Sequence, residues 1–296
     1  MNNKLSAHLS MIGAEVLWGI SAPVGKVILA GGVLPMVLTD MRFVGAAILF
    51  WIVSFVEPKE HVTPRDMLAI FGASLLAIVG NQVSFLIGLE ITSPIDASII
   101  PTTLPILTMI LAAIVLREPI TSLKAGGVIV GGIGAVILII SSTHDANNTA
   151  SIAGDILILF SQISFCCYLV FCKGLIARYS PVTLMKWMFT FAAICVVPFT
   201  VNDLAAVPWE YLSAIVIISC IFYVIGPTFL SYLLLPIGQK NLRPTVTAMY
   251  NYIQPVVAVI VTILVGMGIL TFWNVSAMLL VFLGVFMVTN SRSRNG

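Results

Sequence analysis

Charged side chains are scarce in this sequence. Asp, Glu, Lys and Arg together make up 9% of its 296 residues, and the formal net charge is +2. Soluble domains carry about 25% charged residues, so this chain has too little polar surface to cover itself in water. Metal signatures are missing as well. The histidines are His8, in the N-terminal tail, and His61 and His144, in loops, with no His-Glu-x-x-His spacing among them. Cys166, Cys167, Cys172, Cys195 and Cys220 fall inside apolar stretches and form no Cys-x-x-Cys pair, so they read as small packing thiols without a redox role. No Gly-rich loop follows a strand pattern. The run GGVIVGGIG at 126–134 reads instead as a small-residue helix face for close packing. No cofactor, metal or nucleic acid is therefore expected, and the short linkers leave no room for a soluble domain.

What fills the chain is apolar: 59% of residues are hydrophobic, and the mean hydropathy is +1.10. Ten windows of bilayer-spanning length occur, at 9–30, 35–56, 67–89, 95–116, 123–141, 152–173, 182–201, 210–234, 244–266 and 271–290. The expected fold is an all-α integral membrane protein of ten transmembrane helices. Glu15 and Pro23 inside the first window, and the spans that follow it, favour a retained helix over a cleaved signal. Twelve of the fourteen lysines and arginines fall on one side if both termini are cytoplasmic, and the external loops then hold none. That bias sets orientation in short loops, in a cell (inner) membrane. The other two, Lys26 and Arg42, lie within spans, where an ionisable group faces a cavity or a partner.

The chain also repeats itself. GLEITSPIDASIIPTTLPIL (88–107) and GQKNLRPTVTAMYNYIQPVV (238–257) share Gly88/Gly238, Pro94/Pro244 and Pro105/Pro255 at an offset of 150, as do Thr121/Thr271 and Gly134/Gly284. Earlier in each half the offset shrinks: Pro35/Pro181 and Ala46-Ala47-Ile48/Ala192-Ala193-Ile194 fit 146, and Lys26/Lys173 fits 147. Residues 1–145 and 150–296 thus form two units of five spans. Five is odd, so the second unit crosses the membrane in the opposite sense, as an inverted repeat about an axis in the membrane plane. Pro101, Pro105 and Pro255 are candidates for a kink or gate, since a mid-span proline frees a carbonyl and bends the helix. The plainer reading is a kink between packed helices.

WGISAPVGKVIL, followed by PMVLTDMRFVGAAILF, resembles the first two helices of the drug/metabolite transporter superfamily in its EamA-type branch. GLEITSPIDASIIPTTLPILTMILAAIVLREPIT resembles that family's signature for helices three to five, ending in Glu-x-x-Thr. The second half departs from it: GMGILT lacks an acidic residue at the place of Glu118. The resemblance implies ten helices, alternating access, and transport or export of small metabolites such as amino acids.

Several residues are candidates for that work. Glu15 shares a helix face with Trp18 and reads either as a proton-coupling or amine-binding acid, or as a hydrogen-bonded structural glutamate. Its counterpart Gln162 cannot titrate. Arg42 suits a substrate carboxylate, or pairs with Asp40, Glu90 or Asp96; opposite side-chain tilts on antiparallel helices disfavour a Glu15–Arg42 bridge. Lys26 reads as a snorkelling lysine or a charge in the path. Thr247, Tyr250, Asn251 and Gln254 fall on one helical face, suited to a zwitterionic or aromatic molecule or to interhelical bonding. Asn81, Gln82 and Phe85, and Tyr223 with Ser231 and Tyr232, form weaker versions of that pattern.

The reading that follows is a secondary transporter, not an enzyme, moving a small molecule through a mid-membrane cavity, with H⁺ as candidate coupling ion and homo-oligomers compatible with the Gly127-x-x-x-Gly131 face. Phosphorylated sugars or nucleotide sugars are the alternative substrates. A non-transporting membrane enzyme or regulatory subunit is the alternative of a different class.

Overall fold

A computed structural model describes residues 3–92, 100–142, 151–207, 209–264 and 271–291, except the side chains of residues 3, 22, 26, 138, 139, 141, 142 and 262. These residues are helical almost throughout, and no strand occurs among them. Besides a short helix Lys173–Arg178 and a 3₁₀ turn Trp209–Tyr211 in connections, the helices are α1 (Asn3–Ala30), α2 (Pro35–Ser54), α3 (Pro64–Ile91), α4 (Ile100–Val115), α5 (Ser122–Ser142), α6 (Ile152–Phe171), α7 (Pro181–Ala206) and α8 (Ala214–Asn241). They continue with α9, which runs as Pro244–Met249, a 3₁₀ turn Tyr250–Tyr252 and Ile253–Leu264, and α10 (Phe272–Thr289). Seven of these are long and apolar enough to cross a membrane; Ile100–Val115 and Ser122–Ile137 are shorter apolar helices. Large side chains such as Phe55, Ile114, Phe199, Leu264 and Phe286 stand exposed on the outside, as lipid-facing residues do. This is a multi-pass membrane protein.

The residues that recur along the chain start helices, interrupt them, or let them touch. Pro35 and Pro181 occupy the first turns of α2 and α7, where the missing N–H has no intrahelical partner to lose. Thr121 and Thr271 are N-caps: their hydroxyls accept from the backbone N–H of Lys124 and Asn274, both at 3.2 Å. Pro105 and Pro255 each follow a 3₁₀ turn, Ile100–Thr103 in α4 and Tyr250–Tyr252 in α9. Two π-helical segments are similarly spaced, Leu75–Val83 in α3 and Val224–Leu230 in α8. Pro94 lies outside the described residues.

The glycines mark close approaches. A Cβ on Gly88 would sit 2.8 Å from the carbonyl of Gly154 on α6, and one on Gly238 would meet Met11 and the carbonyl of Ala7 on α1. Likewise Gly134 faces the Ala277 carbonyl, and Gly284 faces Gly127 and Gly131. The Gly127-x-x-x-Gly131 face is therefore covered by α10 of the same chain. Along their lengths α5 packs on α10 and α2 on α7, while α1 packs on α8 and α9, and α6 on α3 and α4. At the centre, Phe43 and its counterpart Phe189 meet edge-on at 6.3 Å, and Phe50 lies between Phe189 and Phe229.

Lys124, counted from sequence among the cytoplasmic basic residues, is wholly buried in the first turn of α5. Its Nζ lies 3.1 Å from Glu118, whose carboxylate also accepts from the hydroxyl of Thr245 on α9. The pair pins the α4–α5 connection to α9 and gives Glu118 a structural partner. His8 likewise belongs to α1 and not to a tail.

Gly284→Ala places a methyl 2.5–2.6 Å from backbone atoms of Gly131 and Gly127 that cannot rotate away. It is expected to destabilise the detergent-purified protein by about 1–3 kcal/mol. Gly72→Ala, in open space, is expected to raise stability by about 0.5–1 kcal/mol through helix propensity. Melting curves of the two variants check the assignment; equal midpoints would mean that α5 and α10 are not packed backbone to backbone.

Candidate functional site

Three polar groups gather where α1, α2, α3, α8 and α9 meet. The first is built on Glu15, which is 3% exposed. Its carboxylate accepts from Gln254 Nε2 at 2.7 Å, and the same amide nitrogen reaches Asn251 Oδ1 at 2.6 Å. Asn251 Nδ2 then donates to the carbonyl of Pro101 at 3.4 Å. That carbonyl is available because Pro105, four residues on, has no N–H to offer it. The neighbouring carbonyl of Thr102 accepts from the Tyr252 hydroxyl at 3.0 Å. Gly19 allows this approach of α9 to α1, since a Cβ there would lie 2.9 Å from the Gln254 carbonyl.

The second group is aromatic. The Trp18 indole N–H donates to the Pro227 carbonyl at 2.8 Å, and its ring stands edge-on to Tyr232 at 5.5 Å. The Tyr232 hydroxyl accepts from Gln82 Nε2 at 2.6 Å, and its ring meets Phe189 edge-on at 5.0 Å. The amide oxygen of the same side chain, Gln82 Oε1, is buried with no hydrogen-bond partner among the described residues. Gln82/Tyr232, Pro101/Asn251 and Thr102/Tyr252 are all 150 residues apart, so positions equivalent in the sequence repeat touch one another here.

Arg42 forms the third group. Its Nε donates to Thr228 Oγ1 at 3.0 Å, and its guanidinium lies 5.3 Å from the Tyr223 ring centre. Thr228 in turn donates to the Tyr223 carbonyl at 3.0 Å, the acceptor left over by Pro227. Arg42 makes no ion pair among the described residues, so the expected pairing with Asp40 or Glu90 is replaced by a hydroxyl and a π face. Asp40 instead accepts from Thr200 at 2.6 Å, and Asp96 lies outside the described residues. Glu15 and Arg42 have separate partners, as their tilts imply.

Other candidates sit apart. Tyr250, placed by 3.6-residue spacing beside Asn251 and Gln254, turns away because the 3₁₀ turn advances the chain differently; its hydroxyl binds His8 Nδ1 at 2.6 Å. Gln162 stays within α6, donating to Ser161 Oγ at 2.8 Å. Asn81 donates to the Ser161 carbonyl at 3.0 Å, a helix-packing bond mirrored by Ser231 and the Ala14 carbonyl at 3.3 Å. Phe85 is half-buried on α3. The side chain of Lys26 lies outside the described residues. Sequence reasoning missed Thr228, Tyr252 and His8; the usable signal for Tyr252 was its offset of 150 from Thr102, next to a repeated proline.

The similarity to known proteins agrees with this architecture. The model of the EamA-like transporter family matches residues 5–140 and again 152–290. The chain belongs to the EamA-like transporter family. It is 24% identical over 292 residues to the uncharacterized transporter YyaM of Bacillus subtilis (strain 168), covering 95% of this chain and 92% of that one. An uncharacterized transporter of Archaeoglobus fulgidus is 26% identical over 258 residues, covering 87% and 90%. A solved crystal structure superposes with a TM-score of 0.79 at 18% identity, covering 97% of this chain and 98% of the other; that likeness concerns the fold. Membership of this EamA branch places the chain in the drug/metabolite transporter superfamily and makes it a membrane transporter by family.

Gln254→Leu removes the donor to a buried carboxylate and is expected to destabilise the protein by about 1–3 kcal/mol. Glu15→Gln keeps an acceptor of the same shape and is expected to cost less. Thermal melting of both variants in one detergent tests the pairing, and the reverse order would contradict it.

Proposed function

We propose that this protein is a secondary transporter that exports small amphipathic metabolites, such as amino acids, across a cell (inner) membrane. Residues 1–145 and 150–296 act as inverted five-helix units, ten crossings in all with both termini cytoplasmic. They rock about a site where the helix breaks of α3, α4, α8 and α9 meet α1. The observation that carries this reading is the buried Glu15–Gln254–Asn251 chain. It ties a titratable group on one unit to a helix break shared by both, so a change at the carboxylate has a direct route to the gate.

The chemistry of the surroundings fits such a cargo. Glu15 offers an acceptor for an ammonium group or a proton, Arg42 offers a cation on a neighbouring helix, and Trp18 with Tyr232 supplies an aromatic wall. Glu15 has Gln162 as its only counterpart, so one H⁺-coupling carboxylate serves the pair of units. Phosphate esters, which call for convergent Arg and Lys, fit less well, because the Arg42 guanidinium already lies on Tyr223 and Thr228.

Metabolite profiling of the medium, with and without induced protein, tests this reading. Selective external accumulation of one compound class is expected. Asn251→Ala is expected to abolish it with membrane expression intact, and Glu15→Gln to remove its dependence on the proton gradient. An unchanged medium despite correct insertion would overturn the export reading.

A further inference from the structure

Away from the polar groups, a recess of about 430 Å³ opens on the outside of the bundle between α2 and α7. Val44, Ala47 and Ile48 line one wall, and the other carries Thr190, Ala193 and Ile194, the positions 146 residues later. Ala47 and Ala193 are the smallest of its lining residues. Trp51 closes one end. Its indole N–H donates to Thr190 Oγ1 at 3.0 Å, and that hydroxyl donates to the Lys186 carbonyl at 2.6 Å. The polar atoms of the recess therefore satisfy one another, and an occupant meets an apolar surface.

At the same end the Lys186 ammonium lies 4.8 Å from the Trp51 ring centre, and Trp51 and Trp187 meet edge-on at 5.2 Å. Lys186 makes no ion pair among the described residues; the two ion pairs there are Lys124–Glu118 and Arg178–Asp66. Paired tryptophans and a snorkelled lysine are features of a helix end at the headgroup level. From Val44 to Ile52 the helix rises about 12 Å, close to half of a hydrocarbon core about 30 Å thick.

We propose that this groove is a binding site for one anionic phospholipid, with an acyl chain between α2 and α7 and the headgroup phosphate on Lys186. An apolar slot of single-leaflet length that ends in a cation with no ion pair among the described residues complements such a lipid and gives a zwitterionic one no comparable partner. The proposal does not depend on what the protein transports.

Native mass spectrometry of the purified full chain, offered phosphatidylglycerol or phosphatidylcholine with identical chains, tests it. The wild type is expected to retain phosphatidylglycerol about five-fold better, the scale of one lysine's attraction to an anionic surface. Lys186→Gln is expected to erase that preference while leaving phosphatidylcholine retention unchanged, and Lys186→Arg to restore it. Ala193→Phe, which fills the slot, is expected to lower retention of both lipids at unchanged melting temperature. Equal retention by the wild type, a preference that survives Lys186→Gln, or lipid-free dimers closing this face would each overturn the proposal.

Discussion

In a hydrocarbon core every backbone N–H and C=O needs a partner inside the protein, and each irregular stretch of this bundle is organised by that need. Pro105 leaves the Pro101 carbonyl without its helical donor, and Asn251 supplies one. Pro227 withholds the regular α-helical donor from the Tyr223 carbonyl, which in the π-helical segment takes the Thr228 hydroxyl. Thr102, Leu76 and Pro227 carbonyls take Tyr252, Ser164 and Trp18. Several of these donors come from the opposite half of the chain, so breaking a helix here also fastens the two halves together. A site with polar side chains in an apolar bundle then follows as a consequence.

The scaffold repeats more faithfully than the chemistry. Asn81 bonded to the Ser161 carbonyl and Ser231 bonded to the Ala14 carbonyl are matching contacts in the two halves, as are Gly88 on Gly154 and Gly238 on Ala7. At the Glu15 level the correspondence stops. Gln162 stands for Glu15, and Leu104 stands for Gln254, so Gln162 has no amide to meet and turns to Ser161 within its own helix. A nearly symmetric frame thus holds a carboxylate, Glu15, at this level of one half and an amide, Gln162, in the other.

Much of this was legible in the sequence because glycine, proline and threonine each do one thing well at a helix end or contact. Their recurrence at 146–150 residues marked the two units, and the repeated prolines marked the helix breaks. Glu15, Asn251 and Gln254 were legible as polar residues on apolar faces. Tyr250 was not placed correctly, because regular spacing carries through a 3₁₀ turn that rotates it toward His8. His8 itself was hidden by lying just before the first apolar window. Lys124 was legible only as a cytoplasmic basic residue, because its partner Glu118 sits on the far side of a turn and only folding brings Thr245 to the pair.

The sidedness of equivalent loops tests the inverted arrangement most directly. His61, after α2, and Trp209, after α7, occupy corresponding connections. Each would be changed to cysteine in a chain lacking the five native cysteines and exposed on intact cells to a membrane-impermeant thiol reagent. Inversion requires Trp209→Cys to react from outside and His61→Cys to react only after the cells are opened. Labelling of both from the same side would contradict it, and with it the idea that the two halves gate opposite faces of one site.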